Sequence, residues 1–489
     1  MMKNLLYTAI LLLLMTSCNE WLDIQPEASV SEKELFSTRE GFYEALNGIY
    51  TRSSQADLYG GEFSVGTTGV LAQNYSNSVY DYTFYQKTSL YDYTDQDFKN
   101  RRNGIWGAAY NAIANCNLIL ENIDEQKNLF AENEFEMIKG EVLALRAYLH
   151  FDMLRMFGPS YLTGAAEPAI PYVTSYSNKV TELLTVSEIC TLTIADLEAA
   201  KELLENDLIR TEDYVVGYPG EEDVTETDNP LLFLQNRRHR LNYYAVCGEL
   251  ARVYLYVADY PKALTNAEIV INSDKFPWVD VADLLEADPQ LKDRIMYSEL
   301  IFGWYADGQE TNLYNRFNSV VTGQYIDYNA ARSFYEVGGV GAEDYRFKAW
   351  FTQVASSNNG SRYQINKFLR DEDLNLHPLV IPGIRLGEIY FIAAESAYST
   401  DPEKAWMYLN TLRFRRGIGN ELNESTENID FTTEILKEYR KETFAEGQLF
   451  FAYKRLNATI IGQNNTSYGP DPEIFNIPFP EDEIEFGNR

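Results

Sequence analysis

Two stretches of the chain share one grammar: an apolar helical run, a turn built on Asp and Pro, and a second run that opens on Lys-Ala. In the first, Leu241, Tyr244, Ala245, Gly248, Ala251, Leu255 and Ala258 recur at helical spacing, Asp259-Tyr260-Pro261 breaks the run, and Lys262-Ala263 restarts it toward Ile271. In the second, a run from Ile389 turns at Asp401-Pro402 and resumes from Lys404-Ala405 to Arg415. Each reads as an antiparallel helix pair of the tetratricopeptide type, and such pairs bury their apolar faces only by stacking on neighbours. The small residues Ala245, Gly248 and Ala251 let two backbones approach closely at the seam.

Two longer helices belong to the same scaffold. Trp106, Ala109, Ile113, Cys116 and Leu120 advance by threes and fours, as do Phe135, Ile138, Val142, Leu145, Leu149, Met153 and Met156 before Gly158-Pro159 stops the helix. The expected fold is therefore mostly α: stacked, tetratricopeptide-like helix pairs with long irregular excursions and a few short strands. The stretches 52–98, 158–180, 210–235, 274–386 and 457–489 lack helical period. Loops of that length inside a compact domain are usually functional. Within them Leu300–Tyr305 (LIFGWY) is short and β-prone, and is expected to form a strand.

Composition narrows the partners. Against 41 Lys and Arg stand 73 Asp and Glu, a formal net charge of −32, so nucleic acid is excluded as a general partner by repulsion. A hydrophobic fraction of 45% is enough to bury a core. Tyr, at 36 residues, outnumbers Phe and Trp, which favours surfaces apolar on the ring face and hydrogen-bonding at the tip.

Residues 1–17 read as a signal peptide: Lys3, an apolar run Leu5–Met15, then Thr16 and Ser17 before Cys18. As a helix the run rises about 16 Å, short of the ~30 Å hydrocarbon core, so it is not a permanent span. Small residues before a cysteine look like a lipobox, with Cys18 acylated as the first mature residue and residues 18–489 forming a single helical domain. The anchor is then lipid, because an anionic leaflet repels the body. The other cysteines, Cys116, Cys190 and Cys247, are odd in number and lie in apolar contexts, as buried free thiols do.

Two excursions have the composition of a sugar site, in which flat rings meet the C–H face of a pyranose and planar polar groups meet its hydroxyls. One, near 52–98, carries Asn74, Tyr75, Tyr80, Tyr82, Phe84 and Tyr85. The other, near 274–386, carries Trp304, Tyr305, Tyr314, Arg316, Tyr325, Asp327 and Tyr328. Core packing is the competing role for each ring.

Catalysis finds no comparable support. His150, His239 and His377 share no metal-ligand spacing, and neither a Gly-x-Ser-x-Gly elbow nor a Walker loop occurs. Asp371-x-Asp373-x-Asn375 begins like a calcium loop, but Leu376 and Pro382 stand where Gly and Glu are needed. No catalytic residue, cofactor or metal is expected.

With these segments in hand, the chain resembles the SusD/RagB family of outer-membrane glycan-binding lipoproteins of gut-type Bacteroidetes. The resemblance is carried by CNEWLDIQPE at 18–27, GFYEALNGIY at 41–50, the run Trp106, Tyr110, Ile113, Asn117, and GEVLALRAYLHFDMLRMFG at 140–158. It continues in LARVYLYVADYPKALTNAEIVI at 250–271, RLGEIYFIAAESAY at 385–398 and FNIPFPEDEI at 475–484. The chain departs from the family where Glu446-Gly447 is followed by Gln448-Leu449, with Arg455 retained, and in its short ending Phe486 to Arg489.

The resemblance implies four tetratricopeptide-like units packed against a SusC-like TonB-dependent transporter, with residues from the two aromatic excursions meeting at a glycan. It also implies attachment to the outer membrane through the lipid anchor, facing the exterior. The alternative function is a tetratricopeptide-type adaptor that binds only protein.

Overall fold

The computed structural model describes residues 31–76, 82–355, 361–369, 376–377, 379–426, 429–463 and 466–487. Residues 1–17, read above as a signal peptide, Cys18, Tyr80 and the Asp371–Asn375 stretch lie outside them.

The main helices are α1 (Arg39–Ser53), α2 (Gln96–Ile123), α3 (Glu134–Phe157), α4 (Val186–Leu203), α5 (Tyr243–Tyr256), α6 (Tyr260–Ile271), α7 (Glu310–Phe317), α8 (Leu386–Tyr398), α9 (Pro402–Arg415), α10 (Phe431–Glu442) and α11 (Gln448–Arg455). Four antiparallel pairs form among the described residues: α1 with α2, α3 with α4, α5 with α6, and α8 with α9. Each packs on the next through α2–α3, α4–α5 and α6–α8, while α10 covers α8 and contacts α11. A mostly helical stack of pairs is thus the observed architecture.

Local chemistry explains the two turns that define the repeat. Asp259 accepts the N–H of Lys262, and Asp401 that of Lys404, with Pro in the first turn of both helices. Each Asp satisfies an otherwise orphaned donor at the helix start, where Pro gives up nothing because its missing N–H has no helical partner. At the seam a Cβ on Gly248 would stand 3.1 Å from Ile384 and 3.2 Å from Ile389, so α5 meets the start of α8 closely. Glu268 on α6 binds Lys404 at 2.6 Å and the Tyr408 hydroxyl at 2.7 Å, fastening α9.

The excursions are more structured than their lack of period suggests. Short helices Tyr328–Phe334 and Tyr345–Trp350 accompany α7. The strands within 274–386 are β1 (Leu300–Tyr305), β2 (Ile326–Asp327), β3 (Phe351–Ala355), β4 (Ser361–Ile365) and β5 (Val380–Arg385). β1 pairs antiparallel with β5, and β4 lies between β2 and β3. The strand expected at LIFGWY is present with the same limits.

A buried ion lattice fastens this region to the last helices. Arg385, ending β5, binds Glu442 at 2.7 Å and Glu446 at 2.8 Å; Arg416 binds Glu299 at 2.6 Å and Glu442 at 2.7 Å. Arg346 reaches Asp344, Glu438 and Glu442 at 2.7 to 3.0 Å. Buried charges of this kind are tolerated only when every partner is present. Glu446 also binds Lys367, Gln448 accepts from Arg155, and both Glu395 oxygens lie 2.8 Å from Arg455, so the segment that departs from the family pattern has a packing role.

Three buried free cysteines occur as expected, their thiols pushed by burial to about 12. His150 is a core residue: its Nδ1 donates to the Arg146 carbonyl at 2.8 Å, its Nε2 accepts from Val173 N–H at 2.9 Å, and burial lowers it to about 3.

Candidate functional site

The two aromatic excursions meet. Ser76 N–H donates to the Tyr325 carbonyl at 2.8 Å, and the Ser76 hydroxyl lies 2.9 Å from both Asp327 Oδ2 and Gln463 Oε1. Deeper in, the Tyr85 hydroxyl donates to Glu62 Oε1 at 2.5 Å and accepts from Arg316 Nη2 at 3.2 Å. Thr67 closes the other side of Glu62 through its N–H at 2.9 Å and its hydroxyl at 2.5 Å. The Arg101 guanidinium covers the Tyr85 ring at 4.1 Å. Burial raises the Tyr85 hydroxyl well above its ordinary value, so it stays protonated.

At this junction several buried polar atoms have no partner among the described residues: both amide atoms of Gln324, Nε and Nη1 of Arg316, Asn74 Oδ1 and the Tyr75 hydroxyl. Gln324 is tied to the group by its N–H, which donates to the Arg316 carbonyl at 2.7 Å. Native proteins rarely leave buried polar groups unsatisfied, because each costs about 1–3 kcal/mol. A concentration of them marks a place where water or a hydroxyl-rich ligand is expected.

Burial sorts the residues singled out from sequence. Tyr82 is 52% exposed and Tyr314, on the outer side of α7, 41%. Tyr328 is half-buried and stacks on Tyr363 with ring centroids 5.5 Å apart. Asn74, Tyr75, Tyr85 and Tyr325 are buried, and Arg316 is nearly so. Tyr75 packs against Phe317 and Phe444, and Tyr325 lies beneath Arg362 at 3.9 Å. Tyr80 lies outside the described residues.

Trp304 requires a correction. It was expected to be a ligand platform, yet it is 1% exposed and stacks on Tyr59 at 4.1 Å with the planes 3° apart, its edge against Tyr148 and Phe302. Alternation along β1 turns Trp304 inward and its neighbour Tyr305 outward, and Tyr305 stacks on His239 at 5.8 Å. Tyr305 and Phe84, 46% and 60% exposed, are the flat apolar surfaces that join Tyr82 and Tyr314 on these excursions.

Glu62, Arg101 and Gln324 were not found from sequence. Their relevance comes from tertiary contacts with Tyr85 and Arg316, which no local spacing announces. What the two excursions offer is exposed rings on the same segments that carry a buried, underused set of hydrogen-bonding groups. Among the described residues there is no group of three or more His, Cys, Asp or Glu able to hold a metal ion.

Comparison with known proteins gives a consistent frame. A family profile described as starch-binding, associating with outer membrane, matches residues 20–215, and the SusD family profile matches 303–488. SusD-like protein P2 of Formosa agariphila is 22% identical, over 97% of this chain and 96% of its own length. The crystal structure of a SusD-like carbohydrate binding protein from Bacteroides vulgatus superposes with a TM-score of 0.71 at 19% identity, covering 92% of this chain and 96% of that one. A SusD superfamily protein from Bacteroides thetaiotaomicron gives 0.71 at 21% identity, covering 92% and 98%. Two family profiles, which together match residues 20–215 and 303–488, show that the chain belongs to the SusD/RagB family.

Proposed function

We propose that the protein binds glycans at the junction of its two aromatic excursions, without chemical change to them, and delivers them to a SusC-like TonB-dependent transporter in the outer membrane. The observation that carries this reading is the meeting of residues 74–76 with 324–327, which gathers unpaired buried polar groups beside segments bearing exposed Tyr and Phe. Rings stack on the sugar's C–H face while Gln324, Arg316 and Asn74 supply donors and acceptors for its hydroxyls. The match to a profile described as starch-binding and the carbohydrate binding named for the B. vulgatus relative support the ligand class.

Cys18, acylated after removal of residues 1–17, is the proposed attachment to the outer membrane, with the body facing outward. Among the described residues no helix is long and apolar enough to cross a membrane.

A glycan array probed with protein starting at residue 19 tests the reading. Reproducible oligosaccharide binding without release of new reducing ends supports it. The protein-only adaptor draws on one observation, the exposure of Met407 and Phe414 on α9; co-purification with a barrel and no glycan signal would favour it.

A further inference from the structure

A hollow of about 420 Å³, which shares no lining residue with the excursion junction, lies where the end of α6, the start of α8 and the end of α9 meet. We propose that it is a separate saccharide subsite, taking one or two uncharged pyranose units. Its location is independent of the junction, and only its ligand class rests on the glycan-binding reading.

Trp278 and Tyr390 form its walls, with ring centroids 4.9 Å apart and planes inclined by 55°. Both rings are held by neighbours: Arg416, fixed in the ion lattice, and Arg415 lie 5.1 Å and 5.9 Å from the Trp278 ring, and Tyr408 meets Tyr390 edge-on at 5.8 Å. A stacking surface that is already rigid loses little entropy when a ligand arrives. The apolar floor comes from Val270 and Leu386.

The polar groups are two opposite charges, Asp274 and Arg415, both of which act on the Tyr390 hydroxyl. Both are exposed and line the hollow. Asp274 also holds a left-handed backbone, φ +52°, which is uncommon outside glycine, and it is exposed to solvent. One carboxylate and one guanidinium cancel, so a charged ligand attracted by one is repelled by the other. A sugar hydroxyl donates to Asp274 and accepts from Arg415 at once, while the ring's C–H face covers Trp278. The volume falls in the range of small-ligand sites.

Fluorine NMR of fluorotryptophan-labelled protein tests this, with the Trp278 resonance assigned from Trp278→Phe. The probes are maltohexaose, cellohexaose, xylohexaose and laminarihexaose, raised to about 50 mM because so few contacts give about millimolar dissociation constants. A saturable shift of the Trp278 resonance with at least one probe is expected. It should persist in Tyr82→Ala/Tyr314→Ala and weaken about tenfold in Arg415→Ala and in Asp274→Asn, which keeps the backbone conformation.

Persistence of the Trp278 shift when the junction variant has no effect on total binding would count against the junction alone. A silent Trp278 in protein that still binds these glycans would overturn the subsite alone. A shift abolished by the junction variant, or unaffected by both polar variants, would also overturn the subsite, as would a Trp278 that responds to no probe in protein that binds none.

Discussion

Trp304 and Tyr305 are adjacent in the chain and belong to different parts of the protein. Trp304→Ala removes a ring sandwiched among Tyr59, Tyr148 and Phe302, and should destabilise by about 3–5 kcal/mol, read as a lowered denaturation midpoint. Tyr305→Ala should leave that midpoint within about 0.5 kcal/mol of the parent while reducing glycan affinity. Equal destabilisation by both would contradict the inward and outward assignment. That LIFGWY forms a strand was legible in the sequence, but which of its rings turns inward depends on Tyr59, more than two hundred residues upstream. The burial of Tyr75, Tyr85 and Tyr325 was hidden for the same reason: composition shows that rings are abundant, while burial depends on partners such as Phe444, Arg101 and Arg362.

Lys454 gives a pH-dependent test at the same scale. Its ammonium is buried, its one hydrogen bond among the described residues goes to the Met156 carbonyl at 3.2 Å, and burial alone lowers its pKa from 10.5 to about 7. The unfolded chain therefore binds the proton more tightly, so this lysine costs stability below 10.5, most fully below about 7, and the cost fades as pH rises through that window. Lys454→Met should stabilise by about 2 kcal/mol at neutral pH, with the gain shrinking toward pH 10. A gain independent of pH would show that packing, not charge, is responsible.

At the scale of elements, the helix pairs were legible because their signals are local: three- and four-residue apolar steps, and Asp-Pro turns that cap the following helix. Asp401→Ala should cost about 1 kcal/mol, measured by thermal denaturation, since it removes the acceptor for Lys404 N–H. The β2–β4–β3 sheet was not legible, because β2 is two residues long and its partner lies across an excursion. The short helices within 274–386 escaped for a related reason: six to eight residues give at most two turns of periodicity.

The ion lattice links elements that share no sequence pattern. Burial would raise Glu438, but Lys441 and Arg346 outweigh it and hold the carboxyl at about 2; burial opposes the same effect at Glu442, where Arg416 and Arg385 hold it well below 4.5. Both are depressed in the folded state, so their stabilisation is complete above 4.5 and is lost as pH falls toward 2. Glu442→Gln should destabilise by about 3–5 kcal/mol at pH 7 and flatten the acid limb of the stability profile. An unchanged acid limb would remove the lattice from the account. Gly387 belongs to this arrangement, because a Cβ there would stand 2.4 Å from Glu442 Oε1.

Across the whole molecule, a stack of helix pairs serves as the rigid body from which two excursions leave and return to one place. Their meeting is long-range in sequence, Ser76 to Asp327, and was anticipated only through the family resemblance; spacing and composition supplied the two clusters separately. The acidic body, at −32, disfavours polyanions and leaves neutral saccharides as suitable ligands. Calorimetric titration of the best array glycan into Tyr82→Ala/Tyr314→Ala, beside the parent protein, tests the central claim most directly. The account predicts a loss of affinity of about tenfold or more with the denaturation midpoint unchanged; full affinity in the double variant would contradict it.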